Sequence, residues 1–529
     1  MKRILVLLGL GCGLQAFAQD PIAEKYATYI EADDAKKHLS ILASDEFEGR
    51  ETGTRGAEKA AAYISEEFKK LGLQAPVNGS YFQTVPLIEA KFEVPTFLVN
   101  QTRFINGKDF YFNGTPKVGN IDVKEILFLG YGISSENYDD LKGTDIAGKV
   151  VLVINEGEPV KKGTSAVTKT KELSDWSKNK QKRISYLLSK NPAVILAVSS
   201  GVGGLLKMYS QYFTQAQIGL KKPEAEQKQL HTAIVNISPA VANRFLKLSG
   251  KTYEALKEEI DKTGMPHSKT VKSNFVTAYA LNKRELNALN VLGYLEGTDL
   301  RDELVVVSAH YDHIGLTHSG KDKVNNGADD DGSGTTGVLE IARAFSKAKA
   351  EGNGPRRSIL FLGNVGEEKG LLGSEWYSEN PVFPLENTVT DLNIDMIGRV
   401  DSAHKSKPDY CYLIGSDKLS SDLHQISETA NATYTKFNID YKYNDPKDPE
   451  RIYYRSDHYN FAKHGIPIIF YFNGIHEDYH KPSDEVSKID FPLLVKRAQL
   501  VFYTCWDLVN RDKRPVVDKK AEVAGEEKQ

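Results

Sequence analysis

The sequence predicts an α/β fold: a mixed, largely parallel sheet covered by helices on both faces, with a smaller β-rich domain inserted into it. Three observations predict this. From about residue 274 on, apolar runs such as "ELVVVSAH", "RSILFLGNVG" and "GIPIIFYFNG" alternate with helical stretches such as "GVLEIARAFSKA", the pattern of strands buried on both faces. Between 116 and 274 the runs are shorter, β-rich and bounded by Gly and Asn, as in "EILFLGYGI" and "GKVVLVINEG". With 529 residues and 40% hydrophobic content, the chain exceeds one ordinary domain and can bury a large core.

In chain order, "MKRILVLLGLGCGLQAFAQD" carries Lys2 and Arg3, an apolar run and the small-residue site Ala16-Phe17-Ala18. This predicts a signal peptide over 1–18 and export to the periplasm or the medium. Cys12 suggests lipid anchoring instead, but Gly9 stands where a larger aliphatic residue is usual, so cleavage after Ala18 is preferred. No later run reaches the roughly 18 apolar residues of a spanning helix, so no stable membrane insertion is expected. Residues 34–115 open the main domain, with Ala60, Ala61, Ile64, Phe68 and Leu71 at helical spacing and Gly72 as the stop. Residues 116–274 form the insertion and 275–512 complete the main domain, while the polar tail 513–529 is expected to be disordered. Lys+Arg 68 against Asp+Glu 71 leaves no strong field to draw nucleic acid. Past residue 18, only Cys411 and Cys505 remain, and they are read as two separate buried thiols.

The chemistry sits where strands end. After "ELVVVSA" come His310-Tyr311-Asp312-His313. Asp329, Asp330 and Asp331 precede the helix "GTTGVLEIARAF", Glu367 and Glu368 follow "RSILFLGNVG", Asp395 lies in "NIDMIG", and Tyr479 and His480 in "EDYHKPSDE". Each piece alone has a plain structural reading: a hydrated turn, an acidic helix start, a hydrogen-bonded strand end. Together they offer what a pair of zinc ions needs, since one Asp can bridge two metals while each takes a His and a further carboxylate. Asp312, two residues after His310, is placed to hold that ring by its other nitrogen.

The motifs "SAHYDHIG", "NNGADDDGSG", "GNVGEEKGLLGS", "NIDMIG" and "DYHKPSDE", with "LASDEFEGRETGTRG" near the start, resemble in order those of the co-catalytic di-zinc exopeptidases. That family includes secreted bacterial leucyl aminopeptidases and glutamate carboxypeptidase II. "FLGYGISSENYDDLKGTDIAGKVVLVI" resembles the opening of the protease-associated (PA) domain inserted in some members. The resemblance implies two zinc ions per chain, one held by His310 and Asp395, the other by Glu368 and His480, with Asp330 bridging. A cis peptide at Asp330-Asp331 is implied, with Asp329 and Asp331 as supports. Glu367 is implied as the general base for a metal-activated water, and Tyr479 either assists the oxyanion or is a structural hydroxyl. The inserted domain would supply no zinc ligands and would shape access for long substrates.

Two questions remain open at the level of residues. "YRSDHYNF" places Arg455, Asp457 and His458 either beside the pocket or, for the last two, in a structural hydrogen-bonded pair. Peptides are the expected substrates, cut by an aminopeptidase preferring uncharged or apolar N-terminal residues, because the site motifs offer Glu367, Asp395 and a bridging Asp but only Arg399 and Arg455 as nearby arginines. A carboxypeptidase would need an arginine cluster for the terminal carboxylate. Alternatives are a carboxypeptidase of the same family, an acyltransferase resembling the one-zinc glutaminyl cyclases, or a receptor-like relative that has lost its metals. The last fits least, since all five ligand positions are present.

Overall fold

The structure is a computed structural model that describes residues 19–114, 116–223 and 231–520. The chain forms two compact units, Ile88–Glu285 and the segments on either side of it.

An eight-stranded sheet organises the unit built from the flanking segments. Its strands are β1 (Phe82–Thr84), β2 (Leu289–Leu295), β3 (Leu300–His310), β4 (Arg357–Asn364), β5 (Thr388–Ile394), β6 (Tyr410–Ile414), β7 (Asn438–Asp440) and β8 (Ile468–Phe472). They lie in the order β1-β2-β4-β3-β5-β8-β6-β7. The central four, β4, β3, β5 and β8, are parallel, whereas β2 runs antiparallel to β4 and β6 antiparallel to β8. The sheet is therefore mixed and largely parallel, as the apolar runs predict.

Every residue of β4, β5, β6 and β8 is buried, which requires cover on both faces. On one face Leu304, Val306, Leu360, Leu362, Ile468 and Phe470 pack with Tyr377 of helix Leu372–Glu379 and Phe461 of helix His458–Lys463. On the other, Phe361 meets Phe68 of helix Arg55–Lys70, ring centroids 6.4 Å apart. Gly337 of helix Gly334–Ala350 approaches the side chains of Ile394 and of Ala498 on helix Phe491–Asn510. The Arg55–Lys70 helix buries Ala60, Ala61, Ile64 and Phe68, and Gly72 beyond it adopts a φ of 75°, the left-handed turn that ends many helices. Because β3, β4, β5 and β8 share a direction, their C-terminal ends open on one edge of the sheet, where ligands of such sheets bind.

The other unit holds a nine-stranded sheet of its own. Strands Val150–Ile154, Val194–Val198 and Ala233–Ile237 form a parallel centre that is apolar except at Asn236, with helices such as Lys180–Leu188 and Tyr253–Thr263 between and after them. Its boundaries are wider than 116–274. Strand Leu87–Val99 pairs with strand Lys269–Leu286 in that sheet, so backbone hydrogen bonding pulls the edges out to Ile88 and Glu285.

The tail also departs from expectation over its first half. Arg514 donates to the Glu386 and Thr388 carbonyls, and the Asp518 and Lys519 amides donate to the Leu419 carbonyl, so 513–520 is pinned through main-chain bonds that composition does not reveal. Residues 521–529, like the expected signal peptide 1–18, lie outside the described residues. Cys411 and Cys505 are buried and unpaired. No helix among the described residues is long and apolar enough to cross a membrane.

Candidate metal centre

The three aspartates enter the site through a wide turn, Ala328–Ser333, in which Asp330 (φ −101°, ψ 101°) and Asp331 (φ −114°, ψ 48°) leave helical geometry. The Asp330-Asp331 peptide is cis. The turn sends the three carboxylates different ways. Asp329 accepts from Gly398 N (2.6 Å) and Ser333 Oγ (3.0 Å), and Asp331 from Gly334 N (2.8 Å) and Met396 N (3.0 Å). Asp330 alone presents both carboxylate oxygens to imidazoles: Oδ1 lies 3.4 Å from His310 Nε2 and Oδ2 3.1 Å from His480 Nε2.

Around this carboxylate the strand ends supply the rest. His310 closes β3, and its Nε2 stands 3.6 Å from Asp395 Oδ1, just past β5. His480 Nε2 stands 3.2 Å from Glu368 Oε2. Two atoms each about 2.0–2.1 Å from one tetrahedral zinc lie about 3.3 Å apart, and these four separations bracket that value. His310 Nε2 and Asp330 Oδ2 are buried with no hydrogen-bond partner; leaving such atoms unmatched costs about 1–3 kcal/mol each. The residues present therefore fit a divalent cation on either side of Asp330. Burial works against charge on Asp330, but His313, His310 and His480 overcome it and hold the carboxyl well below the usual range.

Glu367 lies beside this set, its Oε2 3.8 Å from His310 Nε2. Burial pushes its carboxyl well above the usual range; His310 opposes the rise, and Glu368, Asp395 and Asp457 add to it. Tyr479 stacks on the His480 ring, centroids 3.8 Å apart, and its hydroxyl accepts from Arg455 Nη2 at 3.3 Å. Asp330, Glu367, Asp395 and Tyr479 open onto a pocket whose walls include Ile452, Phe470, Phe472 and Ile475.

Two expectations are corrected in detail. The His310 Nδ1 partner is the main-chain carbonyl of Asp312 at 3.0 Å, whereas the nearest oxygen of its carboxylate is 3.7 Å away. That carboxylate is occupied by Thr52 Oγ1 (2.6 Å) and by the Glu367 amide (3.2 Å). Asp312 thus fixes the ring with its backbone and the Glu367 main chain with its side chain. Asp457 and His458 are not a pair: Asp457 accepts from Ser374 Oγ and His458 Nε2 meets the Tyr453 carbonyl at 2.8 Å. Complete burial pushes Asp457 up to about 7 and His458 down to about 3.

Sequence reasoning missed several supports. Asp484 Oδ2 accepts from the amides of both Asp329 and Asp330, although it sits in the quoted "DYHKPSDE". Arg50, fully buried, donates to the carbonyls of Leu42, Tyr311, Asn326 and Gly327 at 2.7–2.9 Å, tying "EFEGRETG" to the segments that carry His310 and Asp330. Its replacement by Met would strand four acceptors, so Arg50→Met should lower the urea midpoint by an amount worth on the order of 3 kcal/mol. An unchanged midpoint would refute the clamp. A further group, Asp34, His38 and Glu340, could in principle hold an ion. There the Arg343 guanidinium bonds Asp34 and approaches Glu31 and Glu340 at 3.1 and 3.9 Å, and so already supplies the cation.

Residues 290–505 match the model of Peptidase family M28, and that stretch includes His310, Asp330, Glu367, Glu368, Asp395, Tyr479 and His480. That stretch of the chain is similar to the family. The chain is 30% identical over 214 residues to a probable leucine aminopeptidase of Arthroderma otae, covering 39% of this chain and 54% of that one. It is 26% identical over 239 residues to aminopeptidase YwaD of Bacillus subtilis, covering 44% and 47%. The chain thus spans about half the length of these curated relatives. Among solved structures, an aminopeptidase from Aneurinibacillus sp. strain AM-1 superposes over 95% of this chain and 100% of its own with a TM-score of 0.51 at 17% identity, a likeness of fold.

Proposed function

We propose that this chain is a peptidase of the M28 kind, an exported aminopeptidase that works with two zinc ions, which would be held by His310 and Asp395 on one side and Glu368 and His480 on the other, with Asp330 bridging. One observation carries the reading: the two oxygens of Asp330 face two different imidazoles, each at a ligand-to-ligand separation and each with its own second carboxylate. A one-metal acyltransferase has no use for a divided carboxylate. Elemental analysis separates the two, with two zinc ions per chain expected and one overturning the reading. Export rests on the N-terminal pattern of residues 1–18, and the reading of Ile88–Glu285 as a PA domain on its sequence resemblance; all proposed ligands come from outside that unit.

Bound zinc supplies Lewis acidity, which makes water more acidic and polarises a scissile carbonyl. Glu367 takes a proton from the attacking water and passes it to the leaving amine. Its amide, anchored on Asp312, keeps the carboxylate in place. Tyr479, whose oxygen accepts from Arg455, retains its own O–H to donate to the carbonyl oxygen as negative charge develops there. Ile452, Phe470, Phe472 and Ile475 receive an apolar side chain from the N-terminal residue.

The choice of peptide end follows from the arginines. Arg399 is committed to Asp478 at 3.0 Å and to Asp484 at 3.7 Å. Among the residues that line the pocket, Arg455 is the one arginine, against Asp330, Glu367 and Asp395. This suits a free ammonium and not a terminal carboxylate. Acetylating the N-terminus of a short apolar peptide should cost on the order of 3 kcal/mol, roughly 10²-fold in kcat/KM, because a buried carboxylate loses its partner. Equal kcat/KM for the free and acetylated peptides, or release of residues from the C-terminal end, would overturn the assignment.

A further inference from the structure

His313 belongs to none of the ligand assignments, yet it is fully buried against the metal-facing carboxylates. Its Nδ1 lies 2.8 Å from Glu368 Oε1 and 3.7 Å from Asp330 Oδ2. Those three side chains could be taken as a ligand group in their own right. The separations argue otherwise. Two ligands of one tetrahedral zinc stand about 3.3 Å apart, while 2.8 Å is the length of a hydrogen bond between an N–H and a carboxylate. Glu368 therefore divides its oxygens, Oε1 to His313 and Oε2 to His480 at 3.2 Å.

We infer that His313 is a positioning residue for the second metal: it donates Nδ1–H to Glu368 Oε1 and so holds Oε2 toward the ion shared with His480 and Asp330. The inference rests on the two-zinc reading and goes beyond it by assigning a role to a side chain outside the five ligands. The neighbourhood is built to hold this ring in one place. Its backbone amide donates to the Arg50 carbonyl at 3.2 Å. Gly327, at a φ of 54°, leaves the room it fills: a Cβ there would come within 2.6 Å of the ring and 2.3 Å of the Asp330 carbonyl. A carboxylate left with both oxygens free could rotate or bind through both. One oxygen tied by a buried donor removes that freedom, which is how outer partners tune a metal ligand.

The test compares wild type, His313→Leu and His313→Asn after removal of metal, each titrated with zinc against a chromophoric chelator. Wild type should take up two ions. His313→Leu should bind one ion with unchanged affinity and the other about 10–100-fold more weakly, the range found when an outer partner of a ligand is lost. His313→Asn, whose side-chain N–H can stand where Nδ1–H stood, should recover most of that affinity. Wild-type affinity for both ions in His313→Leu would overturn the inference. So would an Asn variant no better than Leu, because ring volume and not the donor would then be what matters. If wild type binds fewer than two ions, the two-zinc reading falls and takes this inference with it.

Discussion

Glu367→Gln is expected to keep its zinc and lose kcat by about 10²–10⁴-fold, the usual worth of a general base. The substitution preserves size and shape. Its amide N–H can still donate to Asp312, because that bond is made by the main chain. What disappears is the capacity to take a proton. Position supports the role, since Glu367 Oε2 stands 3.8 Å from His310 Nε2 and lines the pocket. Burial raises this carboxyl well above the ordinary range, with Glu368, Asp395 and Asp457 adding to the rise and His310 opposing it. The check is kcat together with zinc content on the same preparation. A variant with full zinc and near wild-type kcat removes Glu367 from the chemistry.

Asp330→Asn is expected to fail in a different way, losing metal and activity together. An amide has one oxygen to offer where the carboxylate has two, and its NH2 would face one of the two imidazoles now set against Oδ1 and Oδ2. The change also removes the negative charge that His313, His310 and His480 hold in place against burial. Since ligands bind metal in their deprotonated forms, affinity falls with that charge. The loss should exceed the about 10–100-fold typical of an outer partner, and zinc per chain should drop in proportion to turnover. Full zinc with depressed turnover would make Asp330 an acid–base group and hand the bridge to another residue. The two variants thus separate holding the metals from using them.

Several features follow from the sequence by itself, because they depend on short-range pattern. Runs such as "SILFLGN" have no polar alternation, so they can only be strands covered on both faces, and β4 is buried at every residue. The helix at Ala60 to Phe68 and its Gly72 stop are local in the same sense. Parallel strands must carry their loops at a common edge, so His310, Glu368 and Asp395 at strand ends were bound to converge. The resemblance singled out Asp330 among three adjacent aspartates, and the fold supplies a reason: Oδ1 of each neighbour is taken up by backbone amides, and Asp330 alone turns its two oxygens to His310 and His480.

Only the tertiary structure decided which atom of a residue does the work. Asp312 grips His310 by its carbonyl and Glu367 through its carboxylate, a division invisible in "HYDH" because both oxygens belong to one residue. Arg50 reaches across 261 positions to Tyr311 and 276 to Asn326, and no local periodicity marks a charge buried for the sake of distant carbonyls. The edges of the Ile88–Glu285 unit depend on which strand pairs with Lys269–Leu286, a long-range choice of hydrogen-bond partner. His313 and His480 both face Glu368, and only the fold gives the 2.8 Å to Oε1 and 3.2 Å to Oε2 on which their proposed roles as donor and ligand rest. Residue type and spacing set which groups can meet; the backbone path sets the tenths of an ångström that decide what each does there.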